Sequence, residues 1–145
     1  MAATYNKIAD WVENQGEVAD FDGDTFAVAL SNTAPGAETT PPTGDGDGVL
    51  ANITEVAYTN CSARSLTLAT SAQASGTYAI DFNDLVLTAS GGTVGPFRYV
   101  YIYDDTPAGP VDPLVCYFDY GSSITLADGE TLTITFNVSG LFTLA

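Results

Sequence analysis

From Phe26 onward the chain alternates apolar and polar residues with a period of two, and no helical pattern interrupts it. That feature limits the fold more than any other, because strands without helical crossovers pair antiparallel. Phe26, Val28 and Leu30 alternate with Thr25, Ala27 and Ala29. Further strands are expected over 49–58, 65–70, 76–82 and 85–88, with Asn83-Asp84 as a bulge or corner. Residues 97–103 and 114–120 are bulky on both faces, the pattern of strands buried on two sides. An Asp128-Gly129 turn separates 123–126 from 131–136, and 141–144 closes the series. Roughly eight or nine short strands, with turns every 8–15 residues or so, predict an antiparallel β-sandwich of jelly-roll or immunoglobulin-like kind. A length of 145 residues fits one domain, 1–145. The Cys…Trp…Cys order of antibody domains is absent, since Trp11 precedes both Cys61 and Cys116.

The opening segment reads differently. Tyr5, Ile8, Ala9 and Val12 follow the i, i+3, i+4, i+7 spacing of an amphipathic helix over 4–13, with Trp11 widening the stripe. Thr4 is the expected N-cap and Gly16 the stop. A helix of about three turns is unstable alone, so it needs its own sheet or a partner to dock on. Residues 1–23, helix plus acidic turn, are therefore a candidate docking arm. The connection 31–48 carries Pro35, Pro41, Pro42 and a Gly-Asp-Gly-Asp-Gly run. Unstructured loops longer than about 12–15 residues are uncommon and usually functional, which makes this one a second contact candidate.

Charge removes whole classes of function. Eighteen acids against three bases give −15, and no two bases cluster. Phosphate backbones and anionic membranes both require grouped Lys and Arg, so nucleic acid and membrane are excluded as partners. No stretch approaches a membrane span, and residues 1–11 lack the apolar core of a signal peptide. The expected place of synthesis is a cytoplasm. Histidine is absent, which removes the usual general base and the commonest metal ligand. No catalytic residue and no cofactor are assigned, and an enzyme is not expected. Cys61 and Cys116 leave three readings open: buried thiols, a disulfide, or a reactive thiol.

Two acidic clusters, Asp20, Asp22, Asp24 and Asp45, Asp47, resemble fragments of calcium loops. The first fails as an EF-hand: its twelfth position is Ser31 and its glycine, Gly23, is fourth. Both are weak candidates for a divalent cation and fit solvated turns better. The aromatic series Phe97, Tyr99, Tyr101, Tyr103 with Tyr117, Phe118 and Tyr120 fits cross-strand core pairs, with part of it available as a platform for sugar or protein. Arg98 and Arg64 are scarce cations expected to pair with carboxylates, inside the chain or across a boundary.

Several stretches together resemble small structural proteins of tailed bacteriophages, in particular head decoration (cement) proteins. They are Tyr5-Asn6-Lys7 with Trp11-Val12-Glu13, 29–35, Ser71-Ala72-Gln73-Ala74-Ser75-Gly76-Thr77-Tyr78, 89–99 and 120–130. The resemblance implies a non-enzymatic β-sandwich that binds the major capsid protein on the exterior of the virion and strengthens the head. It also implies a homo-dimer or homo-trimer on that lattice. The residues expected at the contact are Tyr5, Ile8, Trp11, Val12, Pro35, Pro41, Pro42 and Arg98. A tail, neck or fibre-associated component and a carbohydrate-binding module are the competing expectations.

Overall fold

The computed structural model describes residues 2–137 and 139–144. Its elements are β1 (Thr4–Lys7), α1 (Trp11–Glu17), β2 (Phe26–Ser31), β3 (Leu68–Ala74), β4 (Thr77–Phe82), β5 (Leu85–Thr88), β6 (Val94–Asp104), β7 (Leu114–Leu126), β8 (Thr131–Ile134) and β9 (Phe142–Leu144), with short 3-10 turns at Pro35–Ala37 and Leu50–Asn52. The chain is an all-β antiparallel sandwich with one short helix near its N-terminus. One layer is a four-stranded sheet ordered β1-β7-β6-β2. The other holds β3-β4-β9 and β5-β8.

The second layer is one ladder with a break. β4 and β5 are consecutive stretches joined at Asn83-Asp84, and β8 and β9 are joined by 135–141. Leu85 pairs with Ile134, and further along Ile80 pairs with Phe142. One stretch advances by fewer residues than the other between those pairs, so the longer one bulges out, at 135–137 and 139–141 among the described residues. Asp84 holds the bulge by accepting the Phe136 N–H at 3.1 Å.

Register explains the core. Phe26, Val28 and Leu30 lie opposite Asp104, Ile102 and Val100, and Val100 lies opposite Phe118. Cross-strand partners share a face, and this face packs on the second layer, with the Phe26 and Phe82 rings 5.4 Å apart. The opposite face carries Ala27, Ala29 and Ser31 beside Tyr103, Tyr101 and Tyr99. Small residues on β2 leave room for the tyrosines. The connection 32–67 covers this face: the Leu30 N–H donates to the Tyr58 hydroxyl at 2.8 Å, and the Arg64 guanidinium lies 3.6 Å over the Tyr58 ring. β6 is therefore buried on both sides, as its composition requires.

Four local expectations are corrected. Residues 4–7 form an edge strand paired with β7, because Tyr5 packs edge-to-face on Phe118 at 5.6 Å and the backbone completes a ladder there. The helix starts later, at Trp11 after Asp10, and Gly16 lies inside it. Residues 49–58 are not a strand; they hold a 3-10 turn and lie across the tyrosine face, with Ile53 buried. The two strands expected over 114–126 are one, which bends at Gly121 (φ 91°). The expected turn at Asp128-Gly129 is present, with Gly129 at φ 84°, and it joins the two layers: β7 pairs with β6, and β8 with β5.

Candidate docking surfaces

The residues expected at a partner contact scatter. Ile8 and Trp11 are core residues, at 0% and 2% exposure. The Trp11 ring sits among Phe21, Phe26 and Phe142, with centroids 6.2–6.3 Å away. The stripe of the helix docks on its own sandwich, so it is no free arm. Pro35 and Pro42 are buried and Pro41 half-buried, anchoring the long loop. Arg98 is committed within the chain: its Nε and Nη2 donate to the two Asp119 oxygens at 2.7 and 2.8 Å. That fork holds the Asp119 carboxyl below its usual range, helped by the Gly121 N–H. Tyr5 and Val12 remain exposed, at 40% and 51%, on separate elements.

The acidic clusters are built as turns. Asp20 accepts the N–H groups of Asp22 and Gly23 at 3.3 and 3.2 Å, and Asp24 accepts that of Asp20 at 2.6 Å. Gly46 and Gly48, flanking Asp47, donate instead to Asp10, at 3.1 and 2.7 Å. Among the described residues no three acidic or cysteine side chains converge on one point. Asp20, Asp22, Asp24, Asp45 and Asp47 thus do not assemble into one shell. Cys61 and Cys116 are both free, Cys116 buried and Cys61 half-buried, and burial raises both thiols.

Sequence reasoning passed over Asp104. It is fully buried at the end of β6, where its Oδ1 accepts the Thr106 N–H at 3.2 Å and its Oδ2 has no partner among the described residues. Burial first, then the nearby Asp24 and Asp105 charges, push its carboxyl up to about 7 against the pull of the Thr106 N–H. In sequence it is one of two adjacent loop acids, with nothing to mark its burial.

Two further features emerge only in three dimensions. The first is charge segregation. Across β3, β4, β5, β8 and β9, Asp81 is the one charged residue, in a chain of −15. The outward positions of β5 and β8, set by the pairs Val86↔Thr133 and Thr88↔Thr131, are uncharged, with Val86 49% exposed. The outward set on β3, β4 and β9 includes Ala72, Ala79 and Thr143, with Asp81 opposite Thr70 as its one charge. The second is an apolar cleft of about 690 Å³ between the β1–β7 side of the first sheet and β8 with 135–141. Among the described residues no helix is long and apolar enough to cross a membrane. No family model matches this chain, and neither does any curated protein or solved structure.

Proposed function

We propose that this chain is a non-enzymatic structural protein that docks on another protein surface, and, within that class, a tailed-phage capsid decoration protein on the outer face of the major capsid lattice. The observation that carries this reading is the charge-poor second layer, whose strands hold one charged residue, Asp81, on an otherwise strongly acidic sandwich. An acidic remainder keeps copies soluble and apart. The outward face of β5 and β8, which has no charged residue, meets a partner without stranding a desolvated charge. Arg64 and Arg98 are engaged inside the chain, so the contact draws on shape and uncharged surface. Binding only to the assembled lattice stabilises it by mass action, and an array of many sites multiplies a modest affinity.

The test is cosedimentation with bare mature heads of the cognate phage. Binding at lattice stoichiometry, with heads then more resistant to heat, is expected. Val86→Asp and Thr133→Asp should weaken it while leaving the far-UV circular dichroism unchanged. Binding of only a few copies per particle would move the protein to the neck or tail. Absence of binding would refute the capsid reading.

A further inference from the structure

The sandwich is sewn shut along one side and open along the other. On the shut side the outer edge of β2 is covered: the Leu66 N–H donates to the Phe26 carbonyl at 2.8 Å, the Val28 N–H to that of Arg64 at 2.9 Å, and the Val56 N–H to that of Leu30 at 2.9 Å. The same chain then runs on into β3, in the other layer. On the open side the outermost strands are β1 in one layer and β8–β9 in the other. Apart from the pairs with their inner neighbours, neither β1 nor β8 has a backbone partner along its length among the described residues. The 690 Å³ cleft fills the space between these two edges. Its apolar floor includes Tyr5, Val100, Phe118, Leu132, Ile134 and Phe136, and among the described residues no charged side chain lines it.

We propose that this seam is a strand-addition slot. It takes an extended, uncharged segment of a partner protein, with apolar side chains at every second position, which pairs with the free edge of β8. Three observations define that occupant. An unpaired strand edge offers main-chain donors and acceptors, which an extended backbone satisfies and a compact ligand does not. A strand points alternate side chains to one face, so period-two apolar residues fill the cleft while the others face water. A charged side chain placed against Phe118 and Ile134 would be buried unpaired, at a large cost. The β1 edge is the poorer template, because the Thr4 carbonyl already accepts the Asn6 side-chain N–H at 3.0 Å. The volume lies within the roughly 300–1,000 Å³ typical of ligand sites. The slot stands on geometry alone; only the identification of the strand's owner as the capsid protein rests on the function proposed above.

The probe is a fluorescein-labelled peptide of alternating Val and Thr with a Lys at each end for solubility, titrated into the full chain by anisotropy. A second peptide has the same side chains with alternate amides N-methylated, which removes strand pairing and keeps the apolar surface. Saturable binding is expected for the first peptide, at least about tenfold weaker binding for the second, and slowed amide exchange in β8. The unmethylated peptide at saturation should also displace the protein from heads. Failure of the first peptide to bind saturably, or equal binding of both, would overturn the slot, the latter marking a site for greasy ligands of any shape. Heads that retain the protein while peptide fills the seam would overturn the seam as the capsid contact and leave the decoration reading standing. Peptide binding by a protein that never binds heads would do the reverse.

Discussion

Replacing Asp104 with Asn should stabilise this protein above neutral pH and change little in acid. Asp104 is 0% exposed and its carboxyl is raised to about 7, whereas the unfolded chain returns it to about 3.9. Between those values the folded state holds a proton that the unfolded state has released, so stability falls as pH rises through the window. The full window is worth at most about 4 kcal/mol at ~1.4 kcal/mol per unit. Asn is neutral at every pH. Its Oδ1 keeps the Thr106 N–H, now at 3.2 Å, and its amide supplies a donor toward Asp24 where Asp104 Oδ2 has no partner. Urea unfolding of both proteins at pH 4, 6 and 8 separates this effect from general acidic repulsion, because the other acids are common to both. The variant should gain on the wild type between pH 4 and 8, by up to about 4 kcal/mol of unfolding free energy at the alkaline end. A difference between the two proteins that is constant with pH, or a variant less stable at pH 8, would refute the reasoning.

Three other outcomes are expected. Asp10→Ala removes the acceptor of the Gly46 and Gly48 N–H groups; it should cost about 1–3 kcal/mol and open the 43–48 loop to limited proteolysis, and an unchanged cleavage pattern would contradict the role given to Asp10. Trp11→Ala empties a pocket bounded by Phe21, Phe26 and Phe142 and should cost about 3–5 kcal/mol; wild-type tryptophan emission should be blue-shifted, since Trp11 is the single tryptophan, and water-like emission would show that the helix is undocked. Thiol titration of native protein should label Cys61 slowly and Cys116 only on unfolding, whereas a protein with no titratable thiol after denaturation would show that the two are bonded.

Period-two patterning located β2, β4 and β5, and bulk on both faces located β6 and the start of β7, strands that the structure covers on two sides. It failed where a segment's role was set by something far away in sequence. Residues 4–13 carry a helical stripe, yet the unpaired edge of β7 lies beside Thr4–Lys7, and a ladder there outcompetes an isolated first turn. Residues 49–58 read as a strand because covering the tyrosine face also demands apolar residues; Ile53 is buried there without any ladder. Most of the residues expected at a contact are large or rigid. Size and rigidity also suit a core, and the structure spends Ile8, Trp11, Pro35 and Pro42 there. The charge-poor layer was visible as charge-free stretches between Arg64 and Asp81 and after Glu130. That these stretches are neighbours depends on β4 pairing with β9, a contact that local pattern does not encode.

The two unusual surfaces of this sandwich answer one physical problem. A chain at −15 repels copies of itself and any acidic partner at distances up to about a Debye length, ~8 Å at physiological salt. Contact is least opposed where charge is sparse, and both such regions, the β3–β4 hairpin with its single Asp81 and the charge-free β8–β9 stretch, belong to the second layer. The cleft opens along the β8–β9 edge, so a segment added there would extend the charge-poor layer instead of interrupting it. Edge strands that are not meant to pair are normally defended by Lys, Pro or an inward charge; β8, Thr131-Leu132-Thr133-Ile134, has none of these. β1 by contrast carries Lys7 and the Asn6–Thr4 hydrogen bond. The undefended edge and the apolar floor beside it are liabilities in a free monomer. They cease to be liabilities once something covers them, and an added strand would cover both at once.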